Sequence, residues 1–242
     1  MPPLLTPVPN RGKERRRRAG LARDDSLKIG NSTARALASA GHTVYASMRD
    51  PAGRGTVHAQ GLLDLGRDEH LDLRVIELDV QSQDSADAAA RTVIDEAGYL
   101  DVVVHNAGHL VLGYAEAFTA EEIAHLFDIN VLGQQRVNRA VLPHMRERGT
   151  GYLVYVGSTT VPIYPPFCAP YVASKTAGDA LAVTTSYEVS QLGIETTVVQ
   201  PGGPTSAPST SRTPTPLRTR RRVTPTPSWT RWPRPRPRPR MR

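Results

Sequence analysis

Between residues 30 and 200 the apolar positions follow two alternating rhythms. Short runs rich in apolar and β-branched residues at 43–47, 73–78, 102–105, 152–156 and 195–200, the tightest of them at 102–105, predict strands. Polar residues do not alternate through them, which is the pattern of strands covered on both faces, as in a parallel sheet. Between them the spacing becomes helical at 32–40, 85–97, 120–148 and 171–192, and an interruption is expected near Asn130 in the third of these. Strands alternating with helices of ten or more residues predict an α/β fold built from βαβ units on a parallel sheet.

The two ends leave this rhythm. Residues 1–28 hold eight Lys or Arg against three acids, and residues 205–242 hold eleven Arg and no acid. The whole chain is +7, which leaves −9 for residues 29–204, so the basic character belongs to the ends. Residues 205–242 also carry nine prolines and a Pro-Arg repeat at 233–240. Such a segment has too little apolar surface to offset its ordering entropy and is expected to be disordered or polyproline-like. The expected organisation is a basic segment over 1–25, an α/β domain over 26–204 and an Arg/Pro/Thr-rich tail over 205–242. Basic ends allow nonspecific, salt-sensitive polyanion binding, but no nucleic-acid recognition motif accompanies them. A single cysteine, Cys168, precludes an internal disulfide and fits a reducing compartment such as the cytoplasm. No run of about 18 apolar residues predicts a membrane span, and the scattered histidines lack metal-ligand spacing.

The chemistry-bearing residues lie near the end of the expected domain. Tyr171 and Lys175 are four apart and share one face of a helix. A free phenol ionises near ~10, and a neighbouring cation favours the phenolate. Lowering such a pKa by roughly 2–3 units takes about 3–4 kcal/mol, most of which one close ammonium supplies at an effective dielectric of ~20. A phenol tuned in this way exchanges a proton with an alcohol or carbonyl oxygen. Many surface helices carry this spacing by chance. Ser158 adds weight, because it follows the strand at 152–156 and precedes Tyr171 by thirteen residues. Open α/β sheets place their ligands at such strand ends, although a serine there can equally cap a loop. Asn106, Ala107 and Gly108 follow the strand at 102–105, where small residues let a ligand approach the backbone. Asn130 puts an amide inside a helix, and Pro201-Gly202 ends the last predicted strand.

Together these features resemble the short-chain dehydrogenase/reductase family over about residues 26–205. The resemblance implies a Rossmann-like doubly wound sheet and an NAD(P)-dependent oxidoreduction between an alcohol and a carbonyl. It implies Tyr171 as proton donor and acceptor, Lys175 as ribose contact and tuner of Tyr171, Ser158 as holder of the substrate oxygen, and Asn130 as organiser of a proton relay. It further implies cofactor contacts at Asn106, Ala107, Gly108, Asp79, Val80, Pro201 and Gly202, with Tyr171 and Lys175 beside them. Implied partners are a small alcohol or ketone and further copies of the chain packed through the helices at 120–148 and 171–192, with no membrane and no specific nucleic acid.

Cofactor choice depends on the end of the second strand, where an acid selects NAD and an arginine favours NADP. The stretch Ala46-Ser47-Met48-Arg49-Asp50 places Arg49 near that point and points to NADP over NAD. The family's opening T-G-x-x-x-G-x-G turn is degenerate. Ser26-Leu27-Lys28-Ile29-Gly30 keeps only Gly30, with Ile29 before it and Lys28 in place of the middle glycine. No apolar first strand is evident in the Arg-rich residues 11–25, and the usual last strand is not evident in the tail. Those losses leave an inactive family remnant, or a polyanion binder, as alternatives to an active enzyme.

Overall fold

The computed structural model describes residues 29–202 and the backbone of Ala19–Arg23. Within them lies a six-stranded, all-parallel sheet of order β3-β2-β1-β4-β5-β6. The strands are β1 (Ala19–Arg23), β2 (Thr43–Met48), β3 (Leu73–Glu77), β4 (Val102–His105), β5 (Gly151–Val156) and β6 (Ile194–Val199). The helices are α1 (Ile29–Ser39), α2 (Thr56–Asp68), α3 (Gln83–Ala97), α4 (Ala120–Phe127), α5 (Gly133–Arg148), the short α6 (Thr160–Ile163) and α7 (Ala169–Val189).

The first central strand, which the sequence does not reveal, is present. β1 pairs with β2 through Ala19–Thr43 to Arg23–Ser47 and with β4 through Gly20–Val102 to Ala22–Val104. The arginine run at 15–18 hides it, because charge dominates any window that includes the uncharged Ala-Gly-Leu-Ala that follows. The sheet therefore takes in residues that composition assigns to the basic N-terminal segment. The tail and the family's last strand lie outside the described residues.

Every residue of β2 is buried, as expected of a strand with helices on both faces. Val44, Ala46 and Met48 face one core with Ala34, Ala38, Ala59 and Leu62 from α1 and α2. Tyr45 faces the other core, with Val93 of α3, Val141 of α5 and Ala182 of α7. Period-2 side-chain alternation distributes one strand between two cores in this way. Helix α2 was not apparent from the sequence, because polar and charged residues interrupt its apolar positions. Helix α3 begins at Ser82, whose hydroxyl accepts from the Ser85 amide, and stops at Gly98 in the left-handed region (φ 77°).

One strand-end residue gives the domain a pH dependence. His105 is buried at the end of β4 and stacks on Tyr155 of β5, with ring centroids 4.3 Å apart. Burial pushes its imidazole down to about 3. Below about 6.5 the unfolded chain takes up a proton that the folded chain refuses until near that lowered value, so stability falls as pH falls through this window. The loss is roughly 1.4 kcal/mol per pH unit. Denaturant unfolding at pH 7 and pH 5 is expected to show this residue contributing a drop of about 2 kcal/mol. His105→Phe keeps a ring against Tyr155 and should remove that increment, whereas an identical drop in the variant would refute the assignment.

Candidate active site

The strand order reverses between β1 and β4, the point at which open sheets of this kind form a ligand crevice at their carboxyl ends. A cleft of about 230 Å³ opens close by. It is lined by Ile29 at the start of α1, Asn106 and Gly108 after β4, Ser158 after β5, Tyr171 and Lys175 on α7, and Pro201 and Gly202 after β6. Eight of the residues singled out in the sequence thus share one cavity, brought there from five segments of chain.

Helix α7 carries the pair. Its first turn holds Pro170, whose missing N–H and fixed φ suit a helix start. Tyr171 and Lys175 follow on one face, and Lys175 runs into the interior, where its Nζ donates to the Val156 carbonyl at 2.8 Å. Burial lowers the Lys175 pKa, against an upward pull from Asp179. Ser158 sits beyond the same strand end. Its Oγ lies 2.8 Å from the Thr160 hydroxyl and accepts from the Thr160 amide at 3.2 Å. The hydroxyl therefore also structures its own loop, so the loop-cap reading and the substrate-holding reading describe one side chain.

Asn130 lies in a π-helical turn, Asp128–Leu132, between α4 and α5. This is the expected interruption of the long helix, and π-turns of this kind mark functional sites often. Its Oδ1 accepts from the His109 amide at 3.1 Å, and its Nδ2 donates to the His109 carbonyl at 3.3 Å and the Ser174 hydroxyl at 2.9 Å. Ser174 in turn donates to the Tyr171 carbonyl at 2.8 Å. The amide side chain is thus occupied in fastening the β4 loop to α7. His109 and Ser174 were not singled out from the sequence, since nothing about their spacing identifies a clamp.

The remaining residues border the sheet's carboxyl edge. Gly30 is buried in the first turn of α1. Arg49 follows β2 and is exposed, with Nη1 3.4 Å from Gln81 Oε1. The neighbouring Asp50 carboxylate turns back to accept from the Arg54 amide at 3.0 Å. Asp79 Oδ1 accepts from the Gln81 amide at 3.0 Å, and so it shapes the turn before α3 while Ser82 caps that helix. Val80 is buried against Gly133, where an added Cβ would come within 2.8 Å of its Cγ2. Val80 and Ala107 line a separate small cavity of about 20 Å³, which shares Asn106 with the Tyr171 cleft.

The described part of the cleft fits the nicotinamide-ribose end of a dinucleotide. At Gly108 a Cβ would meet Asn130 Oδ1 at 2.9 Å and Lys175 Nζ at 3.5 Å, so only glycine leaves the ground above Lys175 open. The residues of the degenerate phosphate turn, 24–28, lie outside the described residues. No cluster of His, Cys, Asp or Glu capable of holding a metal occurs among the described residues, and no helix there is long and apolar enough to cross a membrane.

Residues 26–216 match the family model of the short chain dehydrogenases. The chain is 30% identical over 177 residues to a 3-ketodihydrosphingosine reductase of Bacteroides thetaiotaomicron, covering 73% of this chain and 60% of that one. It is 33% identical over 162 residues to an estradiol 17-beta-dehydrogenase 1 of Rattus norvegicus, covering 66% of this chain and 45% of that one. The chain thus spans about half of the length of the curated relatives it matches. Among solved structures, a gluconate 5-dehydrogenase from Burkholderia cenocepacia in complex with NADP and tartrate superposes with a TM-score of 0.70 at 28% identity, covering 78% of this chain and 73% of that one. A short-chain dehydrogenase from Streptomyces avermitilis gives 0.69 at 32% identity, covering 77% and 66%. With its parallel sheet, its strand-order reversal and its matched motifs, the chain belongs to the short-chain dehydrogenase family.

Proposed function

We propose that this chain is an NAD(P)-dependent oxidoreductase that interconverts an alcohol and a carbonyl, with Tyr171 as general acid and base. The observation that carries the reading is the convergence of Ser158, Tyr171 and Lys175 on one cleft with the open backbone of Gly108 and Pro201-Gly202. The dinucleotide, when bound, supplies or accepts the hydride. Tyr171 passes a proton to the carbonyl oxygen in reduction and takes one from the alcohol in oxidation. Ser158 donates a hydrogen bond to that same oxygen. Lys175, buried and anchored on the Val156 carbonyl, contacts the ribose and places a positive charge beside the phenol. Asn130 keeps the β4 loop and α7 at a fixed separation, so that these groups stay in register.

The substrate has a sizeable apolar body. The loops flanking the cleft expose Leu110, Leu112, Tyr114, Ile163, Tyr164 and Phe167. They are joined where the Gly113 amide donates to the Phe167 carbonyl at 2.9 Å and Tyr114 meets Phe167 edge-on at 5.0 Å. The 3-ketodihydrosphingosine and estradiol in the names of two relatives agree with this reading. The chain works in the cytoplasm as a homo-oligomer packed through α4–α5 and α7.

NADP is the preferred cofactor on the strength of Arg49. Fluorescence titrations should show tighter binding of NADPH than of NADH, and Arg49→Asp should reverse the order by roughly tenfold or more. Equal affinities unaffected by the substitution would remove Arg49 from the cofactor site. Soluble protein that binds neither nucleotide would show a family member without this activity.

A further inference from the structure

Asp179 stands two turns along α7 from Tyr171 and one turn from Lys175, so the three share a helix face. It was not singled out from the sequence. Its carboxylate reaches both strand ends that form the floor of the cleft. Oδ2 accepts from Gln200 Nε2 at 2.8 Å, immediately before Pro201-Gly202. Oδ1 lies over Gly157, where an added Cβ would come within 2.6 Å of it. Gly157 joins Val156, the carbonyl anchor of Lys175, to Ser158. Its own amide donates to the Val199 carbonyl at 2.8 Å, and the Thr159 hydroxyl donates to the Pro201 carbonyl at 3.2 Å. Asp179 closes this ring from the helix side.

Among the described residues, the groups facing Lys175 are few. Tyr171 and Asp179 come from its own helix, the Val156 carbonyl and Ser158 from β5 and its loop, Gly108 and His109 from the loop after β4, and Asn130 from the π-helical turn behind. Among them Asp179 is the carboxylate. An ammonium so deeply buried is driven towards its neutral form unless an opposite charge offsets the loss of water. Lys175 has its charged form opposed by burial and favoured by Asp179. Asp179 is likewise pushed up by burial and drawn down by Gln200 and Lys175.

We propose that Asp179 is the counter-charge of Lys175 and a positioning residue of the site, its carboxylate held by Gln200 and packed over Gly157 so that the buried ammonium stays charged at the Val156 carbonyl. The proposal rests on the oxidoreductase reading for its consequence in catalysis, but the charge relation itself is independent of any cofactor.

The sequence contains three lysines, Lys13, Lys28 and Lys175. Protein labelled with carbon-13 at the lysine Cε gives at most three signals, and Lys175→Arg assigns the one of interest. In the full-length chain the Lys175 signal should titrate below the other two. Asp179→Asn keeps the shape and an acceptor for Gln200 but removes the charge, and the Lys175 midpoint should fall by about one further pH unit. Asp179→Ala, a second variant should the first fold poorly, should shift it the same way. Gln200→Leu keeps the charge and should move the midpoint less. In turnover, the alkaline limb of the kcat/KM profile should move to lower pH in Asp179→Asn, which loss of packing alone would not cause. A Lys175 midpoint that stays put in whichever Asp179 variant folds overturns the proposal. A shifted midpoint in a protein without turnover would leave the counter-charge standing and remove the oxidoreductase reading instead.

Discussion

Replacing Tyr171 by Phe should lower turnover by about 10²–10⁴-fold while leaving nucleotide affinity almost unchanged. The substitution keeps the ring, its place in the first turn of α7 and its wall of the cleft, and removes one hydroxyl. Lys175 still donates to Val156, and Ser158 still faces the cavity. What disappears is the group proposed to exchange a proton with the substrate oxygen. Among the described residues Tyr171 is the one tyrosine lining the cleft. Tyr155 is buried behind it, donates to Asn138 at 2.9 Å and is pushed up to about 12 by its burial. Tyr45, likewise at about 12 through burial, is tied to Glu96 and Arg74. The measurement is kcat alongside nucleotide binding by fluorescence, with far-UV circular dichroism as the control for folding. A variant that turns over within a few-fold of the parent would show that the proton travels by another route.

Asn130→Leu is expected to cost about 2–4 kcal/mol of folding stability, out of a typical margin of roughly 5–15 kcal/mol. The two side chains are similar in volume, so the packing loss is small. The change removes the acceptor of the His109 amide and the donor to both the His109 carbonyl and the Ser174 hydroxyl. Asn130 and Ser174 are buried and His109 is half-buried, and Ser174 keeps the Tyr171 carbonyl, so the cost falls mainly on the two His109 backbone groups, at about 1–3 kcal/mol each. The same residue spaces Gly108 from Lys175, so whatever folds should also bind nucleotide weakly. Equilibrium denaturation reads the first effect directly. A loss below about 1 kcal/mol would mean that water replaces the amide, and the clamp would then be dispensable.

Much of the sheet was legible because its signal is local. The strand at 102–105 matches β4 residue for residue, those at 43–47, 73–78 and 152–156 differ from the observed strands by one residue at one end, and the one at 195–200 is shifted by one residue at both. Hydrophobic period is a property of a few neighbouring residues, and in β2 and β4 burial on both faces leaves a run too apolar to be mistaken. The interruption at Asn130 was also visible, since an amide and its surroundings break the apolar stripe of the helix. β1 failed the same test. The five residues Ala-Gly-Leu-Ala-Arg beside an arginine run carry no periodic signal, and their strand character comes from the two neighbours they pair with, β2 and β4.

The sequence by itself determined where the proposed chemistry lies: Tyr171 and Lys175 on one helix face, a serine at a strand end, and the parallel α/β frame that puts both at a carboxyl edge. Only the tertiary structure decided which groups support them. It filled the centre of the sheet with Ala19–Arg23, turned the Asn130 side chain into a clamp between the β4 loop and α7, and set Asp179 against Gly157 and Gln200. The division follows from range. Spacing along a helix or strand is fixed by backbone geometry within a few residues. The partner of a buried amide or carboxylate is fixed by which strands the sheet brings together, across twenty or more residues of chain.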